Sequence, residues 1–171
     1  WDESLSENWQ ERLTNLSKLV VKAKKYGIGI YLYLNEPRFM PLSFFDKYPD
    51  LKGVEMDGHA ARCTSHPDVQ KYWIDSMALM TAQVPDLAGF FSITASENPT
   101  HCWSHGKGAT CPRCSKRSPA EVISELNNIY LTGIQKGLAS HTSVKGPKLI
   151  AWDWGWQDGW AENIIPNLPK S

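Results

Sequence analysis

Two carboxylates stand where apolar runs end. Glu97 follows the run Gly89–Thr94, GFFSIT, and Asp153 lies in KLIAWDW, residues 148–154. A carboxylate at the end of a buried strand is hard to explain by packing, and in α/β folds such strand ends carry chemistry. Hydrolysis of a glycosidic bond needs two carboxyl groups flanking it, about 5 Å apart for retention or about 6.5–9.5 Å for inversion. Neighbouring parallel strands lie about 4.8 Å apart, so carboxylates on adjacent or next-but-one strand ends fall in that range. Counting by twos puts Phe91, Ile93, Ala95 and Glu97 on one face of their strand, and Leu149, Ala151 and Asp153 on one face of theirs. If both faces line one interior, the carboxylates converge, with Glu97 as general acid and Asp153 as base or nucleophile. The plainer alternative has Glu97 capping a loop and Asp153 bonding backbone amides.

Polar and aromatic residues cluster around these two acids. Asn35, Glu36 and Arg38 end an earlier apolar run, and Asn98 follows Glu97 directly. An Arg fork can hold hydroxyls or a carboxylate, and an Asn offers both a donor and an acceptor. Sugar contacts follow from these types, although Glu36 and Arg38 could equally form a local ion pair. Trp152, Trp154, Trp156 and Trp160 alternate around Asp153 and Gly155. Four Trp in so short a stretch cannot all face one core, and flat rings stack on the apolar side of a pyranose. Trp9 and Trp73, on helices, read as core residues.

The four cysteines are Cys63, Cys102, Cys111 and Cys114, the last two forming a CxxC. Four thiolates converging from two loops would make a closed tetrahedral zinc site with a structural role. His101 or His105 could replace one thiol. Two disulfides in a secreted protein are one competing arrangement, and four free thiols are the other. A redox CxxC is disfavoured, because this one lies in a loop and not at a helix start after a strand. His59, His66 and His141 stand isolated and read as structural or solvated.

The elements that must position these residues alternate. Residues 4–26 read as a helix opened by a capping-like Ser6 and closed at Gly27. Ile28–Leu34, IGIYLYL, reads as a strand buried on both faces. A long loop then runs to about residue 65, with a short helix at FFDKYP and a turn around Met56–His59. Further helices are predicted over 67–83 and 119–141, strands at Gly89–Thr94 and Lys148–Trp154, and a helical start within 157–168. The order α-β-α-β-α-β indicates a parallel sheet with helices outside it. A complete (β/α)8 barrel needs roughly 200–250 residues or more. The 171 residues therefore predict one domain, 1–171: the central part of a larger (β/α)8 TIM-barrel-like fold, with a Cys-rich loop at 98–118.

Composition excludes several functions. Lys and Arg number 18 against 18 Asp and Glu, so no basic face for nucleic acid is implied. No apolar run approaches the roughly 18 residues of a membrane helix. No GxGxxG follows a strand, so no dinucleotide or other organic cofactor is expected. Trp1 and the missing signal segment suggest a processed or excised piece. Half a barrel would leave open strand edges, to be covered by flanking sequence or a second copy of the chain.

Four phrases carry a resemblance: YLNEPRFMPLSFFDKYPDLKG (33–53), GFFSITASENPTHCWSH (89–105), CPRC (111–114) and KLIAWDWGW (148–156). Together they resemble a bacterial family of glycoside-hydrolase-like, glycan-utilisation proteins with a TIM-barrel domain. The resemblance implies activity on a carbohydrate, export to a secreted or periplasmic setting, and Glu97 in the position of a glycosidase acid. It is also reminiscent of hexosaminidase and α-glucuronidase-like barrels. It departs from the hexosaminidases at Ser96, where their paired acids would place an Asp, so substrate-assisted cleavage of N-acetyl sugars is not implied.

Overall fold

The computed structural model describes residues 7–95, 98–141 and 145–170. Helix α1 spans Trp9–Lys24 and strand β1 Tyr31–Leu34. A small excursion follows: β2 (Met40–Pro41), α2 (Phe44–Lys47), β3 (Lys52–Met56) and β4 (His59–Arg62). Then come α3 (Pro67–Gln83), β5 (Gly89–Ile93), α4 (Pro119–Leu138), β6 (Lys148–Trp152) and α5 (Ala161–Ile164). The predicted helices and the three apolar strands are present, with trimmed ends. Ser6, the expected cap of the first helix, lies outside the described residues.

The long helices form for legible reasons. In α3, Pro67 sits in the first turn and His66 caps it, accepting from the amide of Asp68 at 3.2 Å. In α4, Ser118 and Glu121 make a reciprocal capping box. The apolar stripe of α4, including Leu126, Ile129, Tyr130 and Ile134, meets Val69, Trp73 and Met77 of α3 in one core. Full burial of each such side chain contributes roughly 1.5–3 kcal/mol. Trp73 is buried there, whereas Trp9, at the very start of α1, is 40% exposed.

The expected partial barrel is not what the chain builds. Strands β1, β5 and β6 form an open three-stranded parallel sheet in the order β1-β5-β6. Strands β2, β4 and β3 form a separate antiparallel sheet. Closure needs about eight tilted strands, and three cannot supply the curvature. The reason lies in residues 40–62, which pair with themselves and add nothing to the parallel sheet. Their hairpin turns at Asp57 (φ 51°) and Gly58 (φ 74°), left-handed conformations that suit a two-residue turn.

Register decides which face is covered. Leu32, Phe90 and Leu149 pair across the sheet and point into the helical core with Leu34. Tyr33 pairs with Phe91, Phe91 with Ile150, and Ile93 with Trp152, so these share the opposite face. That face leaves Tyr31, Tyr33 and Ile150 exposed.

Candidate metal centre and strand-end surface

Cys63 follows β4 directly, while Cys102, Cys111 and Cys114 come from the segment between β5 and α4. Short 3-10 turns at Ser104–Thr110 and Cys114–Lys116 fold this segment back on itself. All four sulfurs lie within 4.8 Å of one another, and all four residues are buried. Cys63 Sγ stands 3.7 Å from Cys111 Sγ and 3.6 Å from Cys114 Sγ, and all four cysteines are free of disulfides. Val54, Ala61 and Val122 enclose them, with Phe39 and Trp103 at the margin.

The thiols hydrogen-bond to each other, which moves their pKa values in opposite directions. The bond to Cys102 lowers the pKa of Cys63 and of Cys111, while the bond to Cys111 raises that of Cys102. Four thiolates this close repel one another, so only a cation would let all four ionise together. The group is thus a set of soft donors compatible with a metal. Neither His101 nor His105 belongs to it. His101 is wholly buried, its Nδ1 accepting from the Trp103 amide at 3.1 Å. Burial pulls its pKa down to about 4, against an opposing backbone hydrogen bond at Thr94. His105 is exposed.

The ends of the three parallel strands lie side by side. Glu97 and Ser96 are outside the described residues. The turn after β6 is bolted to the end of β5: Gly155 donates its amide to the Ala95 carbonyl at 3.1 Å, and Trp156 Nε1 donates to Thr94 Oγ1 at 3.2 Å. Asp153 is exposed just past the strand, and its carbonyl accepts from the Trp156 amide at 3.0 Å. By register Phe91 and Ile93 share a face with Ile150 and Trp152, not with Leu149 and Ala151. The shared interior assumed from counting by twos is therefore not formed.

Asn35 is buried at the end of β1. Glu36 accepts from the Arg38 amide at 2.7 Å, while Arg38 Nε donates to the Asn35 carbonyl at 3.3 Å. The local pair is thus built through the backbone. Arg38 and Asn98 line one open cavity of about 340 Å³ with Phe39, Met56, Asp57 and His59. The isolated histidines serve structure: His66 caps α3, His59 Nδ1 contacts the Asp57 carbonyl at 3.0 Å, and His141 Nε2 the Ala82 carbonyl at 3.1 Å.

The tryptophan cluster divides. Trp152 packs edge-on to Phe91 (5.4 Å between centroids) and to Trp154 (4.9 Å). Tyr33 lies parallel to Phe91 at 6.4 Å and edge-on to Trp152 at 6.5 Å. Trp156 is spent on Thr94, and Trp160 packs edge-on to Trp103 at 6.4 Å. Tyr33 and Phe91 were not singled out in the sequence. The signal was present: Tyr31 and Tyr33 alternate with Leu32 and Leu34, the period of a strand with one open face.

No helix among the described residues is long and apolar enough to cross a membrane. No protein-family model, curated protein or solved structure matches the chain.

Proposed function

We propose that Cys63, Cys102, Cys111 and Cys114 hold one structural zinc ion, and that the domain is a zinc-stapled scaffold. The observation that carries this is the packing of four free, buried sulfurs within 4.8 Å. A zinc tetrahedron with Zn–S of about 2.3 Å has edges of about 3.8 Å. The separations of 3.6 and 3.7 Å come close to that edge, and are far from a disulfide bond. Four protein ligands would close the coordination sphere, which suits folding and not catalysis. Zinc would tie the end of β4 to the segment 98–118, and so fix the loop that carries Asn98.

The test is metal content. The purified chain is expected to hold about one zinc per molecule, and chelator with a thiol reagent should release it and lower Tm. Cys63→Ser should lose the metal. A metal-free chain of unchanged Tm in chelator would overturn the proposal.

A second reading rests on a different observation, the contiguous rings of Tyr33, Phe91, Trp152 and Trp154 on the open sheet face. Tyr33 is 63% and Trp154 58% exposed. Three strands at about 4.8 Å spacing and five residues at about 3.3 Å make a face of about 10 by 17 Å. That is well short of the about 800 Å² per partner of a stable protein interface. It suits a glycan of one to three rings, stacked on the aromatics and bonded by Asn35 and Asn98 at the strand ends. On this reading Glu97 would protonate the glycosidic oxygen. A mixed-glycan panel tests it: Glu97→Gln should keep binding and lose hydrolysis. Binding with no turnover by the unaltered chain would leave a carbohydrate-binding module.

A further inference from the structure

Beyond the four sulfurs, a polar chain leads outward from one of them. Ser65 Oγ lies 3.4 Å from Cys114 Sγ. Arg117 Nη1 donates to the same hydroxyl at 2.8 Å and to Glu125 Oε2 at 2.6 Å. Gln70 Nε2, from α3, donates to Glu125 Oε2 and to the Thr64 carbonyl, both at 3.0 Å. The residues come from the β4–α3 connection, α3, the Cys-rich segment and α4, so the chain of bonds joins four parts of the fold at one sulfur.

We propose that Ser65 and Arg117 form an outer shell that sets the charge and affinity of the metal centre through Cys114. This rests on the zinc reading above. Its direction follows from donor chemistry. A guanidinium only donates, so Arg117 must use a lone pair of the Ser65 oxygen. A metal-bound thiolate only accepts, so the Ser65 proton goes to Cys114. Four thiolates around a zinc dication carry two net negative charges, held here in an apolar pocket formed by Val54, Ala61 and Val122. A hydroxyl proton backed by a guanidinium places partial positive charge against that excess. Glu125, itself held by Gln70, keeps Arg117 in position, and the pair is 27% exposed at Arg117 and 35% at Glu125. Outer-shell partners of this kind orient ligands and tune metal affinity. Ser65 and Arg117 are positioning residues, since neither contacts the metal.

The experiment loads the whole chain with Co²⁺ and, separately, with Zn²⁺ in competition with a chromophoric chelator. Ser65→Ala and Arg117→Gln are expected to weaken zinc binding roughly 10- to 100-fold. Ser65→Thr, which keeps the hydroxyl, should stay near the unaltered value. In Ser65→Ala the thiolate-to-cobalt absorption should move to lower energy, because a sulfur without its hydrogen-bond donor is more electron-rich. A purely structural serine would not move that band. Unaltered cobalt bands and affinity in Ser65→Ala would overturn the outer-shell assignment alone. If the unaltered chain shows no thiolate-to-cobalt band, the zinc reading falls, and this one with it.

Discussion

Gly53 has no room for a side chain because the sulfur of Cys102 occupies the place where its Cβ would stand. The Ala61 carbonyl and Cβ close the same space at 3.2 and 3.3 Å. At position 53 strand β3 therefore meets Cys102 as bare backbone. Gly53→Ala should push Cys102 out of the group, since neither Ala61 backbone nor a buried sulfur can yield cheaply. Overpacking of this kind costs about 1–3 kcal/mol. The expected outcome is reduced zinc content together with a lower urea midpoint. Full metal content in this variant would show that the group tolerates a wider spacing than the zinc reading requires.

The aromatic face makes the opposite prediction, a loss of binding without loss of stability. Tyr33 and Trp154 leave most of their surface in water, so truncation removes little buried area. Tyr33→Ala and Trp154→Ala should change Tm by a few degrees at most, while binding in the glycan panel falls at least tenfold. Trp156→Ala serves as the contrast. Its indole donates to Thr94, so it should cost stability by freeing the 153–156 turn from the end of β5. Equal effects of all three variants on binding would count against a platform confined to the sheet face.

How far the fold could be read from the chain depends on which signal each element left. The long helices and apolar strands were legible because periodicity, Pro67 and Ser118 all point the same way. The barrel was not, because alternation of α and β predicts a parallel sheet but not its closure. Strands β2 to β4 were hidden for a different reason. HAAR and KGVEM have no clear alternation, and only the Asp57-Gly58 turn betrayed the hairpin. The four cysteines were legible as a group since type and spacing suffice for thiolate ligands. Their surroundings were not: Ser65 and Arg117 are ordinary residues whose role exists only through distance. The pairing of Asp153 with Glu97 depended on both counted faces lining one interior, and that condition fails because register puts Trp152, not Ala151, with Ile93.

A buried hydrogen bond ties β5 to α4 and gives a stability prediction independent of metal and glycan. Ser92 Oγ donates to Asn127 Oδ1 at 2.7 Å, and Asn127 Nδ2 donates to the Ile123 carbonyl at 2.9 Å. Both side chains are buried. Ser92→Ala strands the Asn127 oxygen without its donor, which costs about 1–3 kcal/mol. Urea unfolding at neutral pH should show a lower midpoint at unchanged slope, with metal content intact. An unchanged midpoint would mean that water reaches Asn127 in the variant.

Acid should weaken the α3–α4 contact through Asp75. Its carboxylate pairs with Lys136 at 2.7 Å and with Lys71 one turn earlier on α3. The hydrogen bond from Lys136, then that from Lys71, lowers its pKa from 3.8 to about 2. The folded chain thus resists a proton that the unfolded chain accepts. The contribution is fully present above about pH 4 and is lost as pH falls toward 2. Asp75 is open to solvent, so screening keeps the effect small. Asp75→Asn should therefore lower Tm slightly at pH 6 and in low salt, with the difference shrinking at pH 2 and in high salt. A difference that grows on acidification would assign the stabilisation to another group.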